Sequence, residues 1–342
     1  MYSESDIDGA VTAGVLTPEA AAAFRRHVAA THAAPAVDEE HFRLLTGFND
    51  IFVAIALVLL FVAVGQIGRA IAPAIAGALV AATAWTLAEY FTARRRMALP
   101  SILLLAGFVG GVAATIGGLI HAVAPQLEGA AGGLAVAAMA LGAAGAAYLH
   151  WRRFMVPITV AAGAAALVAT AIGLLMAAVP GIQRGIWPLL LVCGIGVFAV
   201  AMRWDMSDTS RTTRRSDVAF WLHLAAAPMI AHPIFQMLGV FQADIGVGTA
   251  LVVLALYLGF AAIALAVDRR ALLVSGLVYV LYAMYALFRS AGAIELSAAL
   301  TAFVIGSALL TLSAFWQPMR RTVVSALGVS LRHRLPPIQQ PA

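Results

Sequence analysis

Ten long apolar runs follow one another along most of the chain, separated by short polar connections. A helix needs about 20 residues to cross the roughly 30 Å hydrocarbon core of a bilayer, and each run has that length within a few residues. Because lipid-exposed backbone must satisfy its own hydrogen bonds, we expect these runs to be helices packed as a bundle. The predicted spans are 50–68, 71–91, 101–123, 131–149, 156–179, 186–203, 218–241, 246–267, 271–289 and 296–316.

The polar connections alternate in arginine content. Of the 21 arginines, 18 lie at the ends of the chain or in every second connection, and only Arg69, Arg184 and Arg289 lie in the others. Cationic side chains that flank a span are retained on the cytoplasmic side during insertion. The predicted fold is therefore all-α, a polytopic membrane helix bundle of about ten transmembrane helices with both termini in the cytoplasm (N-in, C-in).

A sequence pattern recurs along the bundle. Residues 114–125 resemble residues 169–180, at a shift of 55 positions. Arginine pairs precede successive outward-going helices at Arg95-Arg96, Arg152-Arg153, Arg214-Arg215 and Arg269-Arg270. The spacing predicts tandem helical hairpins of 55 to 62 residues. The copies run in the same direction, unlike the inverted halves of many secondary transporters.

Composition supports a membrane protein and limits its partners. The chain is 63% hydrophobic and 11% charged, with a mean hydropathy of +0.95, so its apolar surface could not be hidden in one water-soluble core. The basic residues lie beside spans and form no single basic face, so we expect contact with anionic lipids on the cytoplasmic side and no binding of nucleic acid. The lone Cys193 excludes an intrachain disulfide.

Three parts are predicted along the chain. Residues 1–49 form a cytoplasmic N-terminal segment with short helices, one of which is opened by Thr17-Pro18-Glu19, and this segment is a possible surface for a protein partner. Residues 50–316 form the transmembrane domain. Residues 317–342 form a basic cytoplasmic tail with an interfacial helix. Because the start is polar, we expect no cleavable signal peptide, and nothing in the sequence indicates an oligomeric state.

Three segments resemble parts of known proteins. They are "VTAGVLTPEAAAAF", "DVAFWLHLAAAPMIAHPIF" and "DRRALLVSGLVYVLYAMYALF". They resemble uncharacterised bacterial multi-span membrane proteins that carry a domain of unknown function. The resemblance extends over most of the chain. It implies a multi-pass protein of the bacterial inner membrane, and it implies no activity, substrate or catalytic residue.

The seventh span carries an unusual number of polar residues for a membrane helix. It contains Asp217, His223, His232 and Gln236, interrupted by Pro228 and Pro233. One interpretation places His232 and Gln236 in a cavity open to the outer side, near His121 of the third span. An imidazole there could sense pH, pass protons or bind a metal. The alternative is structural, with each histidine bonded to a carbonyl that a proline has freed.

The ninth span offers a second polar stripe. Ser275, Tyr279, Tyr282 and Arg289 project from one side of an ideal helix. They could line a polar pocket with Arg289 as an anion anchor at its outer mouth, or the tyrosine hydroxyls could simply bond across helices. The predicted polar cavity consists of His121, His232, Gln236, Tyr279, Tyr282 and Arg289.

Three further ionisable residues are secondary candidates for the site: Glu89, Asp217 and His223. Glu89 lies near the cytoplasmic end of the second span, where extension toward water or pairing with Arg94 is the competing interpretation. The run from His150 to Arg153 is interpreted as an interfacial anchor. Two histidines nine positions apart on one helix do not chelate a metal, so we leave the metal open and expect no cofactor.

Sequence motifs exclude several functions. HExxH, CxxC and GxSxG are absent, and a Walker A loop is impossible because the chain has no lysine. The first hypothesis is a transporter or binder of a small molecule, an ion or a lipid. The second is a membrane-embedded sensor or assembly partner without transport activity. An intramembrane enzyme that uses His121, His223 or His232 with Glu89 or Asp217 ranks last, and no catalytic residue is assigned.

Overall fold

The computed structural model describes residues 4–31, 48–208, 213–240, 246–328 and 335. Within these residues the chain forms thirteen α-helices and no strand. The helices are α1 (Glu4–Thr12), α2 (Pro18–Thr31), α3 (Phe48–Arg69), α4 (Pro73–Ala88), α5 (Ala98–Val123), α6 (Gly129–Phe154), α7 (Ile158–Ala178), α8 (Ile186–Met206), α9 (Arg214–Met237), α10 (Val247–Val267), α11 (Ala271–Ser290), α12 (Ser297–Ala314) and α13 (Trp316–Ala326).

The chain divides into two units, and the smaller one contains α1 and α2. Gly14 adopts a positive φ of 72° in the connection between these helices, a conformation that glycine tolerates best. The Thr17 hydroxyl then accepts a hydrogen bond from the Ala20 amide at 3.1 Å, which caps α2. Arg25 pairs with Asp8 at 2.7 Å and ties the two helices together. Most of the segment from 32 to 49 lies outside the described residues.

The larger unit, residues 43–338, contains the membrane spans. Ten of its described helices, α3 to α12, are long and apolar enough to cross a bilayer. The prediction of a polytopic helix bundle is confirmed, and the chain is an integral multi-pass membrane protein. Predicted and observed ends differ most in the fourth span, which was expected to end at 149 and extends to Phe154. Apolar run length located the spans because the bilayer sets their minimum length.

Consecutive helices pack together as hairpins, as predicted. The most extensive contacts join α4 to α5, α6 to α7, α8 to α9 and α10 to α11. Each close pair is joined by a connection that contains or adjoins an arginine pair. These connections can be very short, such as 155–157 between α6 and α7, and a short turn holds the joined ends together. We call the side of the bundle that carries them the arginine-rich side.

Glycines let the two helices of each of the first two hairpins, α4 with α5 and α6 with α7, pack backbone against backbone. A Cβ atom on Gly77 of α4 would lie 2.4 Å from the amide nitrogen of Thr115 in α5. A Cβ atom on Gly133 of α6 would lie 2.5 Å from the amide nitrogen of Ala177 in α7. Lipid supplies no hydrophobic force between helices, so such close van der Waals packing is a main source of stability here.

The helix α9 is the centre of the second half of the bundle. Half of its most apolar window is buried, against 17% to 39% in the other nine spans. It packs mainly on α7, α8 and α11. Protein therefore covers a larger share of α9 than of any other of these spans.

Candidate functional site

Two prolines interrupt the backbone hydrogen bonding of α9. Pro228 and Pro233 have no amide hydrogen, so the helix cannot bond the carbonyls of Leu224 and Met229 in the usual way. Gly194 of α8 lies against the second of these carbonyls, that of Met229. A Cβ atom on Gly194 would be 2.8 Å from the Met229 carbonyl carbon. The absence of a side chain at Gly194 therefore lets α8 approach the interrupted part of α9.

Three of the predicted cavity residues meet toward the far end of α9 from the arginine-rich side. His232 Nδ1 shares a hydrogen bond with the hydroxyl of Tyr279 in α11. Gln236 Nε2 lies 3.5 Å from His232 Nε2. Trp187 of α8 covers the imidazole edge-on, with ring centroids 5.1 Å apart. We call His232, Gln236 and Tyr279 the His232 cluster; His232 and Gln236 are half-buried, and Tyr279 is buried.

The other three predicted cavity residues are placed differently. Tyr282 is half-buried and packs against the apolar cluster that contains Tyr279. Arg289 is exposed, with its guanidinium 5.8 Å from the ring centre of Tyr285. His121 is exposed at the end of α5, which packs mainly on α3, α4 and α6, whereas α9 packs on other helices. The structure thus brings together His232 and Gln236 of the seventh predicted span and Tyr279 of the ninth, whereas His121 and Arg289 are exposed.

A second polar group lies toward the arginine-rich side, and it is fully enclosed. The Asp205 carboxylate, at the end of α8, accepts hydrogen bonds from His223 Nε2 at 2.9 Å and from Arg269 Nε at 3.2 Å. Arg269 also donates through Nη2 to the same carboxylate, and to the carbonyl and hydroxyl oxygens of Ser216 at 3.2 and 3.3 Å. We call Asp205, Ser216, His223 and Arg269 the Asp205 network. Each of its ionisable side chains is at most 3% exposed.

Sequence analysis found only part of this network. It named His223 as a secondary candidate and grouped Asp217 with it, yet Asp217 is exposed. It missed Asp205 and Arg269 because both looked like ordinary charges at the ends of spans. Their opposite charges lie at the same predicted side of the membrane, and this could have indicated that the two residues form an ion pair. Ionisable groups enclosed within spans are costly and need partners of this kind.

The connection between α10 and α11 contacts three helices: α8, α9 and α13. Arg269 belongs to the Asp205 network, while its neighbour Asp268 accepts a hydrogen bond from Trp316 Nε1 of α13 at 2.7 Å. Arg320 Nε of the same helix lies 3.5 Å from the Asp268 carboxylate and is fully buried. The Arg270 guanidinium lies 4.9 Å from the Trp316 ring centre. We call Asp268, Arg269 and Arg270 the Asp268 turn.

A basic tail helix was expected to lie at the membrane interface over Met319 to Leu335. The described helix α13 instead covers Trp316–Ala326, and residues 329–334 lie outside the described residues. One face of α13 is buried through Trp316, Arg320 and Val324, at intervals of four residues. The enclosed Arg320 shows that this helix docks on the protein itself.

An apolar cavity of about 220 Å³ lies among α8, α9, α10 and α11, and we call it the lateral cavity. Its walls are almost entirely hydrocarbon. Ile195 on α8 and Ile263 on α10 contribute to the lining while 54% and 46% of their surfaces remain exposed. In a membrane span that exposure faces lipid, so the cavity opens sideways toward the acyl chains. Further lining residues are Phe198, Ala227, Ile230, Ala231, Phe260 and Leu272.

Along α9 the lateral cavity lies between the two polar groups. Phe198 lines it and also meets His223 of the Asp205 network edge-on, with ring centroids 5.0 Å apart. Ala231 lines it and immediately precedes His232. Leu272 lines it near the start of α11, three residues after Arg269. Along α9 the Asp205 network is therefore followed by the lateral cavity and then by the His232 cluster.

Glu89 lies away from this site. It was expected to extend toward water or to pair with Arg94, but it bonds Arg153 of α6, whose Nε lies 2.9 Å from Oε1. A π-helical turn, Glu89–Arg94, carries the carboxylate at the end of α4. The two side chains remain 37% and 51% exposed, so this ion pair is only a modest bridge between the first two hairpins.

His150 is the one residue of the expected interfacial anchor that the structure encloses completely. Its Nδ1 lies 3.1 Å from the Thr159 hydroxyl, a bond that joins α6 to α7. The Phe154 ring lies 4.7 Å from it, centroid to centroid. Arg152 and Arg153 are exposed, so the anchor interpretation fits them but not the histidine.

Within the described ranges, no group of three or more His, Cys, Asp or Glu side chains is arranged to hold a metal ion. Comparisons with protein-family models, with curated proteins and with solved structures find no match to this chain. The resemblance to bacterial multi-span proteins therefore stays a prediction, and the site must be interpreted from its own geometry.

Proposed function

We propose that this protein binds an amphipathic lipid in the second half of its helix bundle, with one alkyl chain in the lateral cavity. The observation that carries the proposal is a hydrocarbon cavity, open to the bilayer, between two polar groups on one central helix. A polar solute or an ion would require a lining of donors, acceptors or charges, and the cavity has almost none. Among the transport and binding functions expected from the sequence, the geometry favours lipid handling.

The size of the cavity indicates what it accepts. Sites for drug-sized ligands usually measure about 300 to 1,000 Å³, whereas this one measures about 220 Å³. A single alkyl chain suits that volume better than a bulky ring system does. Transfer from lipid into a hydrocarbon cavity brings little hydrophobic gain, so selectivity must come from shape and from a polar anchor.

The His232 cluster supplies a suitable polar anchor. An imidazole, a primary amide and a phenol offer donors and acceptors, and Ala231 and Phe260 of the cavity wall belong to the same apolar cluster as Tyr279. Such groups suit the hydroxyl, ester or amide of a lipid head. The exposed Arg289, near the end of α11, adds a cation on the same side of the bundle.

Location and partners belong to the same proposal. The arginine-rich side faces the cytoplasm of a bacterium, and the protein lies in the inner membrane with anionic lipid heads beside its arginines. Residues 1–49 offer a surface to a protein partner. The competing function, a membrane-embedded sensor or assembly protein without transport, predicts that the lateral cavity has no specific occupant.

Photo-crosslinking in nanodiscs tests the proposal. The probe is a phospholipid with a diazirine near the middle of one acyl chain, followed by mass spectrometry of the labelled peptides. We expect labelling concentrated on α8, α9 and α10, and its loss in Ile195→Trp, which fills the mouth of the cavity. Val192→Trp is the matched control, because Val192 is 65% exposed on the same helix and does not line the cavity. Equal labelling of all ten spans, or no effect of Ile195→Trp, would overturn it.

A further inference from the structure

The helix α13 and the Asp205 network share a single connection. Asp268 binds α13 through Trp316 and Arg320, and the next residue, Arg269, binds Asp205 and Ser216. One peptide bond therefore separates the anchor of a terminal helix from the clamp that joins α8 to α9.

The backbone at this point is held in an unusual state. Asp268 has φ 60° and ψ 48°, the left-handed conformation that ends α10. Its amide bonds the Ala264 carbonyl, and the Arg269 amide bonds the same carbonyl at 2.9 Å. A residue other than glycine persists in this region when its surroundings hold it there. The contacts of the Asp268 carboxylate with Trp316 and Arg320 are such surroundings.

The anchor itself is suited to release. The nitrogen-to-oxygen separation between Arg320 and Asp268 is 3.5 Å, longer than the roughly 2.7 to 2.9 Å of a strong charge-assisted hydrogen bond. Arg320 is nevertheless fully buried, so loss of Asp268 would leave its charge enclosed with a main counter-charge gone. An amphipathic basic helix that leaves this position can bind to the membrane surface instead.

We propose that α13 is a latch: docked on Asp268 it holds Arg269 against Asp205 and keeps α8 and α9 together, and its release loosens the arginine-rich end of α9. Release relaxes the left-handed residue and redirects Arg269. The Asp205 network then loses the cation that balances its carboxylate. The consequence for the lateral cavity, through Phe198 and Leu272, rests on the proposed function, whereas the latch does not.

Hydrogen–deuterium exchange of the full chain in nanodiscs tests the latch without any ligand. The main variant is Asp268→Gly, because glycine accepts the left-handed conformation while the carboxylate is lost. We expect peptides of α13 to exchange about tenfold faster, and peptides containing Ser216 at the start of α9 to accelerate with them. Thr322→Ala is the control, because Thr322 lies on the exposed face of α13.

A second variant separates the latch from simple unfolding. In Asp268→Gly combined with Arg320→Met both members of the buried ion pair are removed, so the helix redocks through Trp316 and Val324, and protection returns in both α13 and α9. If Asp268→Gly does not fold, Asp268→Asn serves in its place, since asparagine keeps an acceptor for Trp316.

Two results would overturn the latch. The first is an α13 that stays protected when Asp268 is replaced. The second is an α13 that is released while the start of α9 keeps its original exchange rate. Neither result depends on lipid photolabelling, so failure of the latch and failure of the proposed function are distinguishable.

Discussion

Asp205 and Arg269 form an ion pair inside the helix bundle although 64 positions separate them in the sequence. Each side chain is at most 3% exposed. The pair joins the end of α8 to the connection between α10 and α11, and His223 of α9 also binds the carboxylate. Two helices and this connection are thus held at one carboxylate.

Removal of the Asp205 charge should be strongly destabilising. Asp205→Asn leaves the buried Arg269 cation uncompensated, and breaking such a pair from one side costs about 3 to 5 kcal/mol. Thermal unfolding followed by circular dichroism in detergent measures the loss. Glu295→Gln, at an exposed position between α11 and α12, should change stability by less than about 0.5 kcal/mol. Equal melting temperatures for the two variants would contradict the network.

Alanine at the glycine contacts should push apart the two helices within each of the first two hairpins. Gly77→Ala and Gly133→Ala each place a methyl group within 2.5 Å of a facing backbone nitrogen, and overpacking of this kind costs about 1 to 3 kcal/mol. Gly110→Ala and Gly145→Ala are matched controls, because nothing lies within 4 Å of a Cβ atom there. The controls should be neutral or slightly stabilising in the same unfolding experiment, since alanine favours the helix.

Loss of the Tyr279 hydroxyl should affect both stability and lipid binding. Tyr279→Phe removes the hydrogen bond to His232, at a cost of about 1 kcal/mol. Under the proposed function it also lowers photolabelling of α9, because the polar anchor is altered while the cavity walls remain. Tyr285→Phe, a half-buried tyrosine of the same helix, is the control. Unchanged labelling in Tyr279→Phe would remove the His232 cluster from the binding site.

The Glu89–Arg153 pair should contribute little by comparison. Both side chains are more than a third exposed, so Glu89→Gln is expected to cost less than about 1 kcal/mol, and less again at high salt. Unfolding at low and high ionic strength provides the measurement. A loss as large as that of Asp205→Asn would show that this carboxylate has a role beyond bridging two hairpins.

The sequence predicted the architecture well because two simple physical constraints determine it. Span length follows from bilayer thickness, and the repeat of arginine turns marks the hairpins. The sequence did not specify which neighbouring helices pack most closely, because a periodic pattern does not carry that information. Packing depends on turn length and on contacts such as Gly77 against α5, which periodicity does not report.

The candidate site was predicted only in part. His232, Gln236 and Tyr279 were found because polar residues inside apolar runs are conspicuous. His121 was grouped with them because it was expected at the same depth, but depth says nothing about position around the bundle. Asp205 and Arg269 were missed for the opposite reason, since charges at span ends are ordinary and only their pairing in three dimensions is informative.

The close packing of consecutive helices also bears on how the protein is made. Contacts between neighbours in sequence allow each hairpin to form as soon as its second helix leaves the ribosome and enters the bilayer. The carboxylate of Asp205 is an exception, because its arginine partner is synthesised 64 residues later. Until then the nascent chain carries an unbalanced acid at the end of α8. Formation of that pair is therefore a late event of biogenesis. A chain truncated before residue 269 keeps the unbalanced acid, so we expect it to fold incompletely.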